Sequence, residues 1–534
     1  MVASLSAGTS AQYYTSLTAY YTETREPRGK WLLVGLDTGI AAGETVATTD
    51  FECLHAGLDR DGRSLLPEQA TRAQRIGGYD LTFSAPKSVS VLWGLADEEV
   101  RTRIEAAHEA AIVTALNMLE KNAAFCRMGK GGTERVPTRL TVAAFRHGDA
   151  RPAEHSDGEM FSDPNLHTHS IILNLGPKPG SVGALDGKAL FAWKMAAGAS
   201  YHAELAKQLG DLGLSIEPTG SNGLFEIAGI DAGLRDYFSA RRRGIEDELD
   251  KHGLESRQAP ALAAEITRAT RKAKHDLESE DRFAAWRRHA HGLGFEPEAL
   301  VRAAFQGLEA DGPKIDAERH EADLRAKIEA IPRTLNETES VFEYRHLHAA
   351  IASALVGTGQ PAARVEQEIE RLTTSSAVVT LGHDVWGHAV LSTPEMVAIE
   401  RDIGRMVGDL DPLRSTAPDP ALVERLIATA SLGAEQIAAV RAATRGDTVT
   451  IIEGAPGSGK TTTLRPIKEA WEAAGYRVIG SATAWKIANM LRDDLGIEAR
   501  ATDSWLAKEA AGQPFLDEKT VLVLDEAGLL SSRQ

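Results

Sequence analysis

Short apolar runs separated by polar segments predict a mixed α/β organisation for the first 300 or so residues. The runs at residues 81–83, 140–145 and 170–173 have the length and composition of β-strands. Residues 98–121 have the pattern of a helix instead. We therefore expect an α+β domain in which helices pack on a sheet.

The pattern changes after about residue 231. Residues 231–292 are charged, Ala-rich and helical in pattern, and they include the basic runs 241–243 and 268–274, which indicate either solvated helix faces or contacts with a DNA backbone. Asp-Gly-Pro at 311–313 predicts a linker, and the Pro-containing segment 409–420 predicts a boundary. Small helices and a β-like stretch at 377–380 lie between them. The resulting domain prediction is 1–300, 301–430 and 431–534.

A glycine-rich loop follows an apolar run at residues 448–452, which we predict to be a buried strand. The loop fits the pattern G-x-x-x-x-G-K-[ST], with Gly454, Gly457 and Gly459 followed by Lys460 and Thr461. Glycines at these positions let backbone N–H groups converge on phosphate oxygens. The lysine would contact the β- and γ-phosphates, and the threonine hydroxyl would ligate Mg²⁺.

A second apolar run, at residues 521–524, ends in Asp525 and Glu526. An aspartate at the end of such a strand can hold Mg²⁺, and the neighbouring glutamate can polarise an attacking water. The two motifs together predict a P-loop α/β domain that binds ATP and Mg²⁺.

Histidines suggest a separate metal site in the first domain. His167 and His169 precede the apolar run 170–173, and alternate side chains of a strand share a face, so both rings point the same way. A third ligand could be His147, at the end of a strand-like segment, or His155, in the long loop that follows. Neutral imidazoles suit Zn²⁺, Mn²⁺ or Ni²⁺, and three protein ligands leave room for a substrate oxygen.

Paired tyrosines near the N-terminus are candidate nucleophiles. Tyr13 and Tyr14 precede Tyr20 and Tyr21 by seven residues, a spacing that returns to the same face of a helix. A tyrosine hydroxyl, with a pKa near 10, attacks poorly unless a base or a metal assists it. Asp80, which opens an apolar strand, could accept the tyrosine proton or orient a histidine ligand.

These residues together resemble the MobF class of conjugative relaxase–helicases. The resemblance lies in the paired tyrosines, the segment Asp-Leu-Thr-Phe-Ser-Ala-Pro-Lys-Ser-Val-Ser from residue 80, Phe-Arg-His at 145–147, and His-Thr-His at 167–169 with Asn174. It implies a multi-domain α/β chain whose N-terminal domain has the HUH endonuclease fold. That fold is a two-layer α/β sandwich with an antiparallel sheet.

The resemblance also implies a chemistry. A metal held by His147, His167 and His169 would polarise the scissile phosphate of single-stranded DNA at a transfer origin. A tyrosine would attack and leave a 5′-phosphotyrosyl link with a free 3′-OH. Tyr13 matches the first nucleophile, Tyr20 the second, and Asp80 the activating carboxylate. The family indicates Mg²⁺ or Mn²⁺, with Zn²⁺ as the alternative, and accessory DNA-binding and coupling proteins of conjugation as partners.

The C-terminal segment resembles the early motifs of RecD-like superfamily 1 helicases. Beside the P-loop, these motifs are Gln436, which would contact adenine, Ser-Ala-Thr-Ala at 481–484, Thr-Asp-Ser-Trp at 502–505 and Asp-Glu-Ala-Gly at 525–528. Residues 391–400 resemble the helical domain that leads into such a motor. Because the sequence stops at Gln534, before a second RecA-like domain with its arginine finger, we expect nucleotide binding without translocation.

Composition changes this picture little. A net charge of −17 is mild counter-evidence for nucleic-acid binding, because local basic patches can still bind phosphate. Two cysteines, together with the lack of a recognisable signal peptide or long apolar span, predict a cytoplasmic protein with no membrane insertion. Two alternatives stay open: a rolling-circle replication initiator with the same chemistry, and a non-catalytic remnant that binds single-stranded DNA.

Overall fold

The computed structural model describes residues 3–8, 27–66, 75–129, 132–220, 222–250, 281–306, 317–410, 415–455 and 457–533. Three predicted features lie outside these residues. They are the candidate nucleophiles Tyr13, Tyr14, Tyr20 and Tyr21, the basic run 268–274, and the linker at 311–313. Among the residues described, no helix combines the length and the apolarity needed to cross a lipid bilayer.

The described residues contain nineteen strands and seventeen α-helices. Strands β1 to β19 are, in chain order, Ala3–Ala7, Lys30–Val34, Gly78–Ser84, Phe125–Met128, Glu134–Pro137, Thr141–Asp149, Ala153–Glu154, Met160–Phe161, Pro164–Leu173, Gly176–Lys178, Ser181–Gly183, Ile216–Thr219, Leu224–Ile227, Phe342–Glu343, Val379–His383, Ala389–Ser392, Arg477–Ala482, Glu498–Ala501 and Thr520–Asp525. Helices α1 to α17 are Thr48–Ala56, Lys87–Leu95, Glu98–Ala123, Gly187–Asp211, Ala232–Tyr237, Ala240–Asp250, Arg282–Gly292, Pro297–Gln306, Ala317–Leu335, Tyr344–Leu355, Arg364–Thr374, Pro394–Leu410, Pro420–Thr429, Ala434–Ala443, Lys460–Ala473, Trp485–Leu495 and Thr502–Ala510.

The chain forms two compact units, and each is interrupted in sequence. The first unit comprises Met1–Ile331, Glu343–Ser375 and Leu381–Val390. The second comprises Pro332–Phe342, Ser376–Thr380 and Leu391–Gln534. The division into three domains at residues 300 and 430 stays a prediction.

The first unit is built on a five-stranded antiparallel sheet in the order β1-β3-β9-β6-β2. It contains the three runs predicted as strands, at 81–83, 140–145 (from residue 141 onwards) and 170–173. The register places His147 opposite His167 on β6 and β9, and Thr82 opposite His169 on β3 and β9. The predicted α/β fold with an antiparallel sheet is confirmed.

Helices α3 and α4 cover one face of this sheet. The segment predicted as a helix at 98–121 forms α3, which Asp97 caps by accepting a hydrogen bond from the Val100 N–H at 2.9 Å. The ring of Tyr201, on α4, lies 5.1 Å from that of Phe83 on β3. Side chains that point away from the histidine face therefore meet a buried helical layer.

The opposite face has an apolar core that ends where the histidines begin. Trp31, Phe51, Phe145, Ile171 and Leu173 belong to this core. Residue 145 lies two positions before His147 on β6, and residue 171 lies two positions after His169 on β9. Because side chains two positions apart share a face, the histidines continue the face that this core covers.

Residues beyond 340 complete the first unit by packing against α4. The buried Trp193 ring lies 6.1 Å from that of Tyr344, 5.9 Å from His348 and 5.0 Å from His388. The Trp386 indole N–H also donates to Asp186, the residue that caps α4, at 3.1 Å. The segments 343–375 and 381–390 are thus part of the same compact unit as the antiparallel sheet.

The second unit contains a parallel sheet in the order β18-β17-β19. Its core includes Trp471, Tyr476, Val478, Leu491 and Ile497. The predicted helix after the glycine-rich loop forms as α15, and the predicted strand at 521–524 forms as β19. The P-loop-type α/β prediction for this region is confirmed.

The strand predicted at residues 448–452 is wrong. These residues form no strand, and Ile451 is 89% exposed. A strand needs a neighbouring strand to pair its backbone N–H and C=O groups. Among the described residues, β19 is an edge strand of its sheet, and no strand flanks 448–452.

Candidate metal centre and nucleotide-binding loop

Three histidine rings meet at one end of the antiparallel sheet. The ring centroids of His147 and His167 are 5.3 Å apart, those of His147 and His169 are 5.2 Å apart, and those of His167 and His169 are 5.3 Å apart. Two of the rings share a face of β9 because they alternate along one strand, and the third faces them from the neighbouring strand. These are the same three residues that the sequence analysis names as the metal ligands.

Asp80 orients one of the rings from the third strand of the site, β3. Its Oδ2 lies 2.8 Å from His169 Nδ1, so the Nδ1–H of the ring donates to the carboxylate. The hydroxyl of Thr82 donates to Asp80 Oδ1 at 3.1 Å. A carboxylate that accepts from Nδ1 directs Nε2 towards a metal and makes the ring a stronger ligand. Of the two functions considered for Asp80, the geometry favours orienting a ligand.

His167 has a similar arrangement. Its Nδ1 lies 2.8 Å from the backbone carbonyl oxygen of Asn165 and 3.1 Å from the side-chain amide nitrogen of the same residue. The shorter contact favours a proton on Nδ1 that is donated to the carbonyl, which leaves Nε2 as the nitrogen suited to a metal. Three neutral imidazoles, two of them oriented through Nδ1, form a donor set that fits a divalent transition metal. His147 is buried and His169 is partly exposed, so the centre lies at the edge of the core.

The alternative third ligand, His155, has its contacts elsewhere. Its Nε2 lies 2.8 Å from Asp163 Oδ1, and both side chains are almost fully buried. The His155 ring stacks on Phe161 with centroids 3.6 Å apart and an angle of 2° between the planes. This pair anchors the loop between β6 and β9, whereas the rings that meet on the sheet are those of His147, His167 and His169.

The candidate tyrosines follow directly after a strand of the site. β1 pairs with β3, so that Ser6 faces Asp80 and Ala7 faces Tyr79. The tyrosines that follow in the sequence, from Tyr13 onwards, lie outside the described residues.

The glycine-rich loop has the backbone that its sequence predicts. Gly457 and Gly459 have φ angles of 78° and 77°, in the left-handed region that favours glycine. Lys460 is the first residue of α15, and its Nζ lies 3.7 Å from Glu526 Oε1. Asp525 ends β19 and directly precedes Glu526 in the sequence.

Gln436 contacts this loop directly. Its Nε2 donates to the Ser458 carbonyl at 3.0 Å, and its Oε1 accepts from the Gly433 N–H at 2.8 Å. The side-chain amide therefore supports the loop and the start of α14 at the same time. A contact between Gln436 and adenine stays a prediction.

Several residues of the candidate metal centre escaped the sequence prediction. Thr82 lies two positions after Asp80 on β3, so both side chains point to the same face of the sheet. Strand alternation alone could therefore have placed Thr82 at the site. Asn165 contributes through its backbone carbonyl, which no residue type signals. His108 lies behind the centre on α3, and its contact depends on how that helix packs on the sheet.

The fold and the two candidate sites define a class: an α/β domain with a histidine cluster on its antiparallel sheet, and a P-loop domain. The sequence profile of the TrwC relaxase family matches residues 7–293, and that of the AAA domain matches residues 431–534. Since the first match covers more than half of the chain, the chain belongs to the TrwC relaxase family.

Individual relatives agree with this membership. The multifunctional conjugation protein TraI of Escherichia coli is 29% identical over 417 residues, which cover 74% of this chain and 22% of TraI. The conjugal transfer protein TraA of Agrobacterium fabrum is 30% identical over 260 residues, or 45% of this chain and 23% of TraA. The chain thus spans about a fifth of the length of the curated relatives that it matches.

Solved structures of a relaxase are also similar. The conjugative relaxase TrwC in complex with oriT DNA, in a metal-free structure, is 30% identical with a TM-score of 0.47. The match covers 55% of this chain and 99% of that chain. A metal-bound structure of the same relaxase with oriT DNA is 27% identical, also with a TM-score of 0.47.

Proposed function

We propose that this chain is a conjugative DNA relaxase that nicks single-stranded DNA at a transfer origin. The observation that carries the proposal is the set of three histidines and Asp80 on adjacent strands of the antiparallel sheet. Membership of the TrwC relaxase family supports it, as do relatives named for conjugation and conjugal transfer.

The reaction we propose exchanges one phosphodiester for another. The hydroxyl oxygen of a tyrosine, Tyr13 in the first step, attacks the scissile phosphorus, and the bond to the 3′-oxygen breaks. The tyrosine loses its proton and the departing 3′-oxygen gains one, so the products are a 5′-phosphotyrosyl link and a free 3′-OH. Tyr20 would act in a second, equivalent transfer. Tyr14 and Tyr21 are the other members of the two pairs.

The residues of the metal centre would prepare the phosphate for this attack. His147, His167 and His169 would hold a divalent cation, Mg²⁺ or Mn²⁺, or alternatively Zn²⁺. When bound, such a cation supplies Lewis-acid polarisation of a phosphoryl oxygen. Asp80 holds the His169 ring in one tautomer and one orientation, and Asn165 does the same for His167. Residues of the chain would therefore fix where the cation lies relative to the scissile phosphate.

A covalent-adduct assay tests this function. The full chain is incubated with labelled single-stranded oligonucleotides from the candidate transfer origin and Mn²⁺ or Mg²⁺, and the products are run on a denaturing protein gel. We expect a protein–DNA band that EDTA abolishes and that Tyr13→Phe reduces by at least roughly 100-fold, because that variant lacks the attacking oxygen.

The matched control is Tyr476→Phe, which removes the hydroxyl of a buried tyrosine in the second unit. This variant should form the adduct normally. Binding of the origin DNA without an adduct under any metal would contradict the nickase proposal and favour a DNA-binding remnant. Adducts formed only with DNA from a replication origin would favour the rolling-circle initiator.

We further infer that the AAA domain binds ATP with Mg²⁺. Backbone groups of the loop would contact the phosphates, Gln436 would contact adenine, and the acidic pair would hold Mg²⁺ and polarise water. The residues concerned are Gly454, Gly457, Gly459, Lys460, Thr461, Asp525 and Glu526. Accessory DNA-binding and coupling proteins would be further partners in conjugation.

Replacement of Lys460 by alanine should weaken ATP binding roughly 10- to 100-fold, because a hydrogen bond to a charged group contributes about 1.5–3 kcal/mol. The measurement is titration with a fluorescent ATP analogue in Mg²⁺. Lys468→Ala is the control, since Lys468 lies further along α15 and pairs with Glu472 at 3.2 Å. Equal affinities of the two variants would contradict the proposed function of Lys460.

A further inference from the structure

A buried chain of hydrogen bonds lies behind the strand that carries two of the candidate ligands. Thr168, between His167 and His169, points to the opposite face of β9, where its hydroxyl lies 2.9 Å from His108 Nε2. The other nitrogen of that ring, Nδ1, lies 2.8 Å from the hydroxyl of Tyr201. All three side chains are at most 4% exposed. Helices α3 and α4 therefore both bond, through His108, to the residue between the ligands.

The His108 ring keeps one protonation state near neutral pH, so both of its hydrogen bonds are kept there. Burial lowers the pKa of His108 to about 3, because a charged imidazole is costly away from water. A neutral ring has one N–H and one acceptor nitrogen. One hydroxyl therefore accepts from His108 and the other donates to it. Neither contact is lost when the pH varies around neutrality.

Because Thr168 lies between two candidate ligands, its hydrogen bond to His108 affects the directions of both ligand rings. The directions of the His167 and His169 rings depend on the position and twist of the β9 backbone between them. Thr168 is the residue at that point of the strand. Loss of its hydrogen bond would leave a buried ring nitrogen without its partner, so the strand or the helix would shift to compensate. A shift at the residue between two ligands changes both ligand directions together.

We propose that His108 is a positioning residue for the metal centre, and that it acts through Thr168 from the opposite face of the sheet. This inference rests on the proposed metal site at His147, His167 and His169. The hydroxyl of Tyr201 completes the connection by holding the far side of the His108 ring. All three side chains lie on the face of the sheet opposite the histidine rings, so their effect is on ligand geometry.

Thr168→Val in the full chain tests the proposal, because valine keeps the shape of threonine and removes only the hydroxyl. The affinity for Mn²⁺ is measured by calorimetry, and the d–d absorption spectrum of the Co²⁺-loaded protein reports ligand geometry. We expect a loss of Mn²⁺ affinity of roughly tenfold, at the low end of the effects of outer-shell partners, and an altered Co²⁺ spectrum. Tyr201→Phe should change both readouts in the same direction.

Two matched variants make the result specific. Thr168→Ser keeps the hydroxyl and should restore affinity and spectrum to near those of the unsubstituted chain. Ser170→Ala removes a hydroxyl two positions along β9, on the same face as Thr168; that hydroxyl is buried and has no hydrogen-bond partner within the described structure. The Ser170 variant should leave both readouts unchanged.

Two results would overturn the inference in distinguishable ways. Thr168→Val and Tyr201→Phe could lower thermal stability while Mn²⁺ affinity and the Co²⁺ spectrum stay unchanged. His108 would then have a purely structural role, and the proposed function would stand. If the unsubstituted chain binds neither metal, the metal centre itself is wrong, and the inference is wrong with it.

Discussion

The His147→Ala variant is expected to form the covalent DNA adduct at least roughly 100-fold more slowly than the unsubstituted chain. Removal of an outer-shell partner typically lowers metal affinity or activity by 10- to 100-fold, and loss of a ligand should exceed that range. The ring of His147 lies within 5.3 Å of both other histidine rings, so its loss leaves two ligands on a single strand. The measurement is the initial rate of adduct formation at saturating DNA, over a range of Mn²⁺ concentrations.

His155→Gln is the comparison that separates the two candidates for third ligand. Glutamine can still bond to Asp163, but it cannot replace a ring stacked on Phe161. This variant should lose stability and keep the Mn²⁺ dependence of the unsubstituted chain. If His155→Gln raises the Mn²⁺ requirement and His147→Ala does not, the assignment of the third ligand is wrong.

The Trp193→Ala variant is expected to lower the free energy of unfolding of the first unit by about 3–5 kcal/mol, the usual cost of truncating a buried tryptophan. Trp193 is 1% exposed and contacts rings from the segments 343–375 and 381–390. Its indole N–H has no hydrogen-bond partner within the described structure, so the loss should come from packing. Urea unfolding followed by far-UV circular dichroism measures it.

Trp485→Ala provides the matched control for this experiment. Trp485 is 51% exposed in the second unit, and exposed substitutions usually change stability by less than about 0.5 kcal/mol. A change below about 1 kcal/mol in Trp193→Ala would mean that the segments beyond residue 340 contribute little to the core of the first unit.

Local patterns predicted which histidines the structure brings together at the candidate metal centre. The alternation in His-Thr-His places two rings on one face of a strand whatever the rest of the fold does. The position of His147 at the end of a strand-like segment favoured it over His155, and the rings do meet. The contact between Asp80 and His169 needed the register of β3 against β9, which no local pattern contains.

The features that sequence could not predict depend on distant parts of the chain. His108 is one polar residue in a long helix, and only the packing of α3 on the sheet brings it to Thr168. The apolar run at 448–452 has the composition of a strand, yet a strand also needs neighbours, and composition does not say whether they are there. The return of residues 343–375 to α4 is likewise a long-range contact without a local signal.

The interrupted course of the chain has a consequence for building hybrid genes. The polypeptide changes unit after residues 331, 342, 375, 380 and 390. A junction placed at residue 300, where the sequence suggests a domain end, would combine the core of the first unit with foreign versions of the segments that cover α4. A junction after Val390 keeps every segment of that core from one parent. For exchange between relatives, the first unit is therefore carried on a cassette of about 390 residues, which also contains residues 332–342 and 376–380 of the second unit.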